Sequence, residues 1–298
     1  MEVKKLFPHG YCGGVKLALK QCIEAIKNPL TKRPIYLLGM PIHNKHVKDA
    51  LINLGVIILD GDLRINLLNQ INSGTVILSA HGVAKMVIEK ALNKGLDIID
   101  TTCSSVKMIQ ERLRQTNREI LYIGKNNHPE SEAVITEFSN AYLIENINDL
   151  LPLNKNKPYY MTTQTTMSIY DVKEITDYIH KHFTDVVVES MVCKTTTIRQ
   201  EALFNQEADL IVIIGDKASS NTQKLYEVAV KHTKHQTVIK IENVNDLAKI
   251  NLSDYQTALI ASGASTPMAI IEEVYQYLLL YPNKKAISEL TLDDYLIL

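Results

Sequence analysis

Short apolar runs alternate with longer amphipathic stretches along the whole chain. The runs are rich in Ile, Val, Leu and Tyr, as β-strands are, whereas the stretches between them show the apolar spacing of helices. The predicted strands are VKKLF (3–7), IYLLG (35–39), VIIL (56–59), TVILS (75–79), DIID (97–100), ILYIG (120–124), AYLI (141–144), YYMTT (159–163), VVVE (186–189), LIVIIG (210–215), TVIKI (237–241) and TALIAS (257–262). This alternation predicts parallel sheets covered by helices.

The predicted strands fall into three groups of four, which indicates a structural repeat of about 90 residues. We therefore predict an α/β fold with three pseudo-symmetric lobes around a central site, each lobe a four-stranded, mostly parallel sheet flanked by helices. The first lobe is 14–103, the middle lobe is 104–193, and the third is 194–298 together with the N-terminal strand segment 1–13. The final segment, ISELTLDDYLIL, is apolar enough to dock on the rest of the protein.

Composition narrows the function classes. The chain has 298 residues, is 46% hydrophobic and carries a formal net charge of -1. A balanced charge gives no reason to expect nucleic acid or an anionic membrane as a partner. MEVKKLFPHG lacks a continuous apolar region of the kind that signal peptides contain, and the apolar runs are too short to cross a bilayer. We expect a cytoplasmic protein.

Three of the four cysteines divide the chain into near-equal thirds. Cys12, Cys103 and Cys193 are 91 and 90 residues apart, and each stands between a strand-like run and a turn that opens a helical pattern. One thiol per repeat predicts three converging sulfur atoms, which suit a metal cluster with one open coordination position. A structural zinc site usually has four protein ligands and close cysteine pairs. A buried apolar role is the ordinary alternative for a single cysteine, and Cys22 in LALKQCIEAI fits it.

Polar side chains of unusual type follow the predicted strands. In parallel sheets, ligands bind at the carboxyl ends of strands, where loops lead into helices. The candidates at these positions are His43, His81, His128, Glu130, Thr165, Thr166, Ser219, Ser220, Asn221, Ser265 and Thr266. Because they come from strand ends in all three predicted lobes, we expect them to line one pocket.

The chemistry of these candidates favours an anionic ligand. The SSN and GAST turns open helices, whose N–H groups and dipole attract phosphate, and three histidines add donors. A diphosphate is the predicted ligand class. Glu130 differs from the others, because a carboxyl group beside an anion and away from water resists ionisation and suits a proton donor. The ordinary alternatives are helix caps for the histidine and hydroxyl residues and a first-turn acid for Glu130.

Nine short segments occur in a fixed order over residues 10–267: GYCGGV, PIHN, SAHGV, DTTC, HPE, TQTT, C-x-TTT-x-RQEA, SSN and GASTP. Each segment is a weak signal by itself, but the ordered set is specific. Together the segments resemble the 4-hydroxy-3-methylbut-2-enyl diphosphate reductases, the last enzymes of the methylerythritol phosphate route to isoprenoids.

The resemblance implies three α/β lobes around an iron–sulfur cluster, [4Fe–4S], held by Cys12, Cys103 and Cys193. It implies reductive dehydroxylation of an allylic diphosphate to isopentenyl and dimethylallyl diphosphate, with two electrons from an external donor of the ferredoxin or flavodoxin type. Glu130 would relay a proton, and Thr165 would lie near the hydroxymethyl end of the substrate. The implied diphosphate contacts are His43, His81, His128, Ser219, Ser220, Asn221 and Ser265.

Three positions depart from the pattern of these reductases. Ser104 follows the cysteine of DTTC where proline is common, Asn127 precedes HPE in place of glycine, and Met268 follows GASTP where an acid is frequent. None of them removes a predicted ligand or the acid. We expect them to alter loop geometry and leave the reaction class unchanged.

Two other functions compete with this interpretation. A hydro-lyase of the aconitase type would also use an open cluster, but it would need no reductant and would require an arginine-rich pocket for its carboxylate substrate. A redox sensor or metal-binding module would use the three thiols and leave the histidine and serine loops unexplained. No G-x-G-x-x-G follows a predicted strand, in agreement with a separate electron carrier.

Overall fold

The computed structural model describes residues 1–204, 206–232, 237–282 and 290–298. Their strands are β1 (Glu2–Lys5), β2 (Ile35–Leu38), β3 (Val56–Leu59), β4 (Thr75–Leu78), β5 (Asp97–Asp100), β6 (Glu119–Ile123), β7 (Ala141–Ile144), β8 (Pro158–Thr163), β9 (Asp185–Val188), β10 (Leu210–Ile214), β11 (Thr237–Ile241) and β12 (Thr257–Ser262). Their helices are α1 (Gly13–Lys27), α2 (Lys45–Asn53), α3 (Arg64–Leu67), α4 (Lys85–Asn93), α5 (Ser104–Gln115), α6 (Pro129–Glu137), α7 (Ile169–His182), α8 (Lys194–Glu201), α9 (Ser220–His232), α10 (Val244–Leu247) and α11 (Met268–Leu280).

The chain forms two compact units. Unit 1 comprises Met1–Lys16, His43–Asn53 and Lys194–Leu298, and unit 2 comprises Leu17–Ile42 and Leu54–Cys193. Helix α2 thus belongs to unit 1, although the strands that precede and follow it in sequence belong to unit 2. The lobe boundaries predicted from the sequence, 14–103, 104–193 and 194–298 with 1–13, stay a prediction.

Unit 1 is built on one sheet with the strand order β1-β12-β10-β11. All of its neighbouring strands are parallel, with Leu210 opposite Ala258 and Thr237. Every residue of β10 is buried, as its continuous apolar sequence LIVII requires in a sheet covered on both faces. Apolar side chains of α11, such as Ile271 and Val274, pack with those of the sheet in one core.

Unit 2 contains two further sheets, ordered β3-β2-β4-β5 and β7-β6-β8-β9, and both are parallel throughout. Strand β4 is fully buried in the first sheet, and Leu121, Ile123 and Met161 are buried in the second. The predicted α/β class with three four-stranded parallel sheets flanked by helices is therefore confirmed.

Two smaller predictions also hold. Cys22 is 1% exposed in the core-facing side of α1, and burial raises the pKa of its thiol to about 12. The C-terminal segment docks through Tyr295, whose backbone carbonyl accepts a hydrogen bond from the Tyr11 hydroxyl at 2.5 Å and whose ring stacks on His46. Residues 287–289 of that segment lie outside the described ranges. None of the helices within those ranges combines the length and hydropathy that crossing a bilayer requires.

Candidate active site

The HPE segment forms the start of α6, directly after β6 and its following turn. The backbone of His128 is extended at the N-cap, and its Nδ1 accepts a hydrogen bond from the Glu130 N–H at 3.2 Å. Pro129 occupies the first helical position, where its fixed φ is favourable and its missing N–H costs nothing. Glu130 falls in the first turn, where the helix dipole favours an acid. Both His128 and Glu130 are buried.

Glu130 is paired with a threonine from the neighbouring strand end. After β8, the Thr165 backbone N–H donates to Glu130 Oε2 at 3.0 Å, and the Thr165 hydroxyl donates to Oε1 at 2.8 Å. Burial raises the pKa of the Glu130 carboxyl to about 7, although both hydrogen bonds from Thr165 act in the opposite direction. This carboxyl group can therefore gain and lose a proton near neutral pH.

Two of the predicted histidines meet in unit 2. His81 follows β4 and His128 follows β6, and their rings lie edge to face with centroids 5.5 Å apart. Ser79, the first residue after β4, has its hydroxyl 3.5 Å from His81 Nδ1. Strand ends from two different sheets thus bring two imidazoles together.

Unit 2 also holds two of the candidate cysteines. The Cys103 N–H donates to the Ala80 carbonyl at 3.0 Å, next to His81, and the Cys193 N–H donates to the Thr165 carbonyl at 2.9 Å. The Ser105 hydroxyl, two residues after Cys103, lies 3.9 Å from the Cys193 sulfur. The backbone therefore ties both cysteines to the loops that carry the histidine and threonine candidates.

Cys12 lies in unit 1, immediately before α1. Its N–H donates to the Ala264 carbonyl at 3.0 Å, and the Val15 N–H points to its sulfur at 3.4 Å. Gly10 precedes it with a φ of +72°, and a Cβ at that position would lie 2.5 Å from Met268 Sδ. Only glycine fits this turn without a shift of its neighbour, which explains the first residue of GYCGGV.

The hydroxyl and amide candidates cluster at one end of the unit 1 sheet. The Ser265 hydroxyl lies 3.3 Å from the Ser219 hydroxyl and donates to the His43 carbonyl at 3.2 Å. Asn221 Oδ1 accepts from the Ala264 N–H at 2.9 Å, and its Nδ2 donates to Thr196 at 3.1 Å. These residues precede or open α9 and α11, whose first turns contain no acid. Such a set of buried hydroxyl, amide and N–H groups suits an anion.

Two other candidates have structural contacts. The Thr266 hydroxyl donates to the Ile214 carbonyl at 3.0 Å inside the sheet, and Thr166 accepts from Gln164 Nε2 at 2.7 Å. Gln164 is fully buried and its Oε1 also accepts from the Lys125 N–H. These contacts hold the shapes of the GASTP and TQTT turns.

Two charged residues near the site, the buried Arg199 and the partly buried Glu132, were not predicted from the sequence. Arg199 is 3% exposed and lies in the segment CKTTTIRQEA (193–202), where only Cys193 was given a chemical role. Glu132 forms a nearly buried ion pair with Arg64 and lies two residues after Glu130. No sequence pattern distinguishes Arg199, because the buried positions of α8 are all polar: Thr196, Arg199 and Gln200.

Iron–sulfur binding is compatible with the thiols present. None of the four cysteines forms a disulfide, and Cys12, Cys103 and Cys193 each directly precede the first residue of a helix. The positive end of a helix dipole stabilises a thiolate, which is the form that binds iron. Cys22, in the middle of α1, has neither this position nor solvent access.

Three parallel α/β sheets with thiol, imidazole and carboxyl groups at their strand ends define a class of ligand-binding α/β proteins in which loops supply the chemistry. The chain belongs to the LytB protein family, whose sequence model matches residues 3–279.

The relatives agree with this assignment. A 4-hydroxy-3-methylbut-2-enyl diphosphate reductase from Lysinibacillus sphaericus (strain C3-41) is 39% identical over 285 residues, which cover 93% of this chain and 88% of the relative. A protein of the same name from Macrococcus caseolyticus (strain JCSC5402) is 38% identical over 287 residues, with 93% and 89% covered. The solved structure of E-1-hydroxy-2-methyl-but-2-enyl-4-diphosphate reductase from Plasmodium falciparum has a TM-score of 0.83 and 29% identity, covering 95% of this chain and 89% of that one.

Proposed function

We propose that this chain reduces 4-hydroxy-3-methylbut-2-enyl diphosphate to isopentenyl and dimethylallyl diphosphate. The reaction removes the allylic hydroxyl group as water and consumes two electrons and two protons. The buried Glu130 carboxyl carries this proposal, because its hydrogen bonds to Thr165 and a pKa of about 7 suit a proton donor at neutral pH. The names of the relatives supply the substrate.

The proposed ligands of a [4Fe–4S] cluster are Cys12, Cys103 and Cys193. Three thiolates leave one iron without a protein ligand. When bound, such a cluster supplies the electrons and a Lewis-acidic iron for cleavage of the C–O bond.

The proposed contacts of the diphosphate are His43, His81, His128, Ser219, Ser220, Asn221 and Ser265. In unit 1 they combine hydroxyl and amide groups with the start of α9, and in unit 2 they are the paired imidazoles. Binding energy from the diphosphate, which does not react, can hold the allylic carbon in position for reduction.

Glu130 and Thr165 perform the proton transfer in this proposal. The protonated carboxyl group gives its proton through Thr165 Oγ1 to the departing hydroxyl oxygen, so that water leaves. The second proton goes to carbon, and the two positions at which it can add account for the two products. Burial of both residues keeps solvent away from the carboxyl group.

An external carrier of the ferredoxin or flavodoxin type is the proposed electron donor, and a cytoplasmic location is proposed with it. The expected partner set is the allylic diphosphate and this carrier, with no nucleic acid or membrane. A cluster-based hydro-lyase would turn over without a reductant, so the dependence of turnover on a reduced dye separates the two reactions.

The function is tested with anaerobically purified protein and a matched pair of cysteine variants. Cys103→Ala should lose bound iron and turnover together, whereas Cys22→Ala should keep both, because Cys22 is buried inside α1. Iron and sulfide are measured chemically, and turnover is measured with reduced dye and the diphosphate substrate. Wild-type protein that binds no iron, or Cys103→Ala with full iron and activity, would contradict the assignment.

A further inference from the structure

Arg199 extends from α8 into the interior of unit 1. Its Nη2 donates to the Gly10 carbonyl at 2.6 Å, and its Nη1 donates to the carbonyls of Pro8 and Ser262 at 3.1 and 2.8 Å. Nη1 also lies 3.4 Å from the Ser262 hydroxyl. One planar guanidinium thus joins the turn before Cys12 to the end of β12.

The segment that Arg199 holds determines where the Cys12 backbone lies. The Gly10 N–H donates to the Ser262 hydroxyl at 3.0 Å, and the Cys12 N–H donates to the Ala264 carbonyl at 3.0 Å. Arg199 binds the opposite side of this turn, at the Gly10 carbonyl. Without the guanidinium, three backbone carbonyl groups in a buried region would lose their donor.

The charge of Arg199 has an unusual environment. Among the described residues no carboxylate forms an ion pair with it, although it is 3% exposed. Burial lowers the pKa of the Arg199 guanidinium to about 10, against an opposing electrostatic effect of Cys12, and the group stays charged at neutral pH. A buried cation without a carboxylate partner is costly. Its Nε–H also has no acceptor within the described residues, and unsatisfied buried donors are uncommon outside functional sites.

We propose that Arg199 is a positioning residue that fixes the Cys12 loop and sets the reduction potential of the iron–sulfur group bound through that cysteine. The inference rests on the proposed cluster ligation. A fixed positive charge beside a ligand sulfur stabilises the reduced, more negative state of the group, and it should therefore raise the reduction potential. The hydrogen bonds from Arg199 to the carbonyls of Pro8, Gly10 and Ser262 should slow the dissociation of the Cys12 sulfur from iron.

Two substitutions separate the charge from the hydrogen bonds. Arg199→Gln removes the charge, and we expect a more negative midpoint potential in an anaerobic dithionite titration of the purified full-length protein. Arg199→Lys keeps the charge, but a lysine ammonium group cannot donate to all three of these carbonyl groups. We expect it to retain the wild-type potential and to release iron to a ferrous chelator about 10- to 100-fold faster. Lys249→Gln is the charge-matched control, since Lys249 is exposed and paired with Asp246.

Each outcome for the two Arg199 variants supports or overturns the proposal. A wild-type potential in Arg199→Gln would overturn the proposal. If Arg199→Gln does not retain iron, Arg199→Lys decides: faster iron release supports the proposal, and a wild-type rate overturns it. Wild-type protein that binds no iron and shows no turnover would instead contradict the proposed function, so the two failures are distinguishable.

Discussion

Thr165 donates two hydrogen bonds to Glu130, one from its backbone N–H and one from its hydroxyl group. Both bonds favour the charged carboxylate, and burial opposes them with a larger effect. The carboxyl group therefore has a pKa near neutrality and a direct partner for proton transfer.

Glu130→Gln should reduce turnover by about 10²- to 10⁴-fold, since it removes a general acid while preserving its size. Iron content should stay at the wild-type level. Turnover of the wild type should fall as the pH rises above about 7, where the carboxyl group loses its proton. Steady-state rates across pH 5–9 test this, and normal turnover of Glu130→Gln would assign Glu130 a helix-start role only.

The same carboxyl group should make folding stability depend on pH. Its folded pKa lies above its ordinary value of 4.5, so the folded protein binds more protons between pH 4.5 and about 7. The free energy of unfolding should therefore fall as the pH rises from 4.5 to about 7. Glu130→Gln should reduce this dependence of stability on pH. Thr165→Val should raise the pKa of Glu130 further, because it removes the hydroxyl bond to the charged form, whereas Thr165→Ser should not. Urea unfolding at several pH values measures these effects; identical profiles for wild type and Glu130→Gln would contradict them.

The ion pair between Arg64 and Glu132 should hold α6 in place. The Arg64 guanidinium occupies the space beside Gly39, where a Cβ would lie 2.8 Å from its Nη2. Gly39→Ala should destabilise the protein by roughly 1–2 kcal/mol through its positive φ and by up to about 3–5 kcal/mol more if the pair breaks. Gly55→Ala is the matched control, with a φ of +87° and no described atom within 4 Å of the added Cβ. Equal losses in the free energy of unfolding for Gly39→Ala and Gly55→Ala would show that the Arg64 side chain can move away from the added Cβ without breaking its ion pair.

Asn127 has a φ of 58°, the left-handed conformation that favours glycine. Asparagine is among the residues that adopt it most readily, which gives the departure before HPE a physical reason. Asn127→Gly should leave stability and KM nearly unchanged, whereas Asn127→Ala should cost about 1–2 kcal/mol and weaken substrate binding through His128. Thermal unfolding and substrate titration test both variants, and an Ala variant as stable as the Gly variant would remove the conformational explanation.

The contacts of Tyr295 should anchor the C-terminal segment. Its ring stacks on His46, with centroids 4.6 Å apart, and its carbonyl accepts from Tyr11. Tyr295→Ala should cost about 0.5–1.5 kcal/mol from the lost ring contact and speed amide exchange in residues 290–298. Leu298→Ala, a change at an exposed position of the same segment, should alter neither; exchange at the wild-type rate in Tyr295→Ala would show that the anchor lies elsewhere.

The regular features of the fold could be predicted from local pattern. The continuous apolar sequences of β4 and β10 predicted parallel strands, because a strand that is buried on both faces shows no alternation of polar and apolar residues. The positions of His81, His128 and Glu130 followed from the rule that loops after parallel strands carry ligands. The grouping of α2 with unit 1 could not be predicted, since its sequence neighbours belong to unit 2 and only packing assigns it.

The contacts of the charged side chains could not be predicted from the sequence. Arg199 and Glu132 look like ordinary helix-surface residues in sequence, and their partners are a backbone turn 189 residues away and an arginine 68 residues away. No periodicity encodes such contacts. Glu130 could be selected as a proton donor from its motif, but the two Thr165 bonds that oppose its raised pKa depend on the placement of another strand end.

The order of apolar runs, glycine turns and helix starts determined the α/β class, the four-stranded sheets and the residues that follow each strand, because these are local consequences of side-chain volume, branching and backbone freedom. Tertiary structure alone decided which of those residues touch, which charges are buried and what their pKa values are. Burial and through-space distance depend on the packing of segments far apart in sequence, and a local pattern carries no information about either.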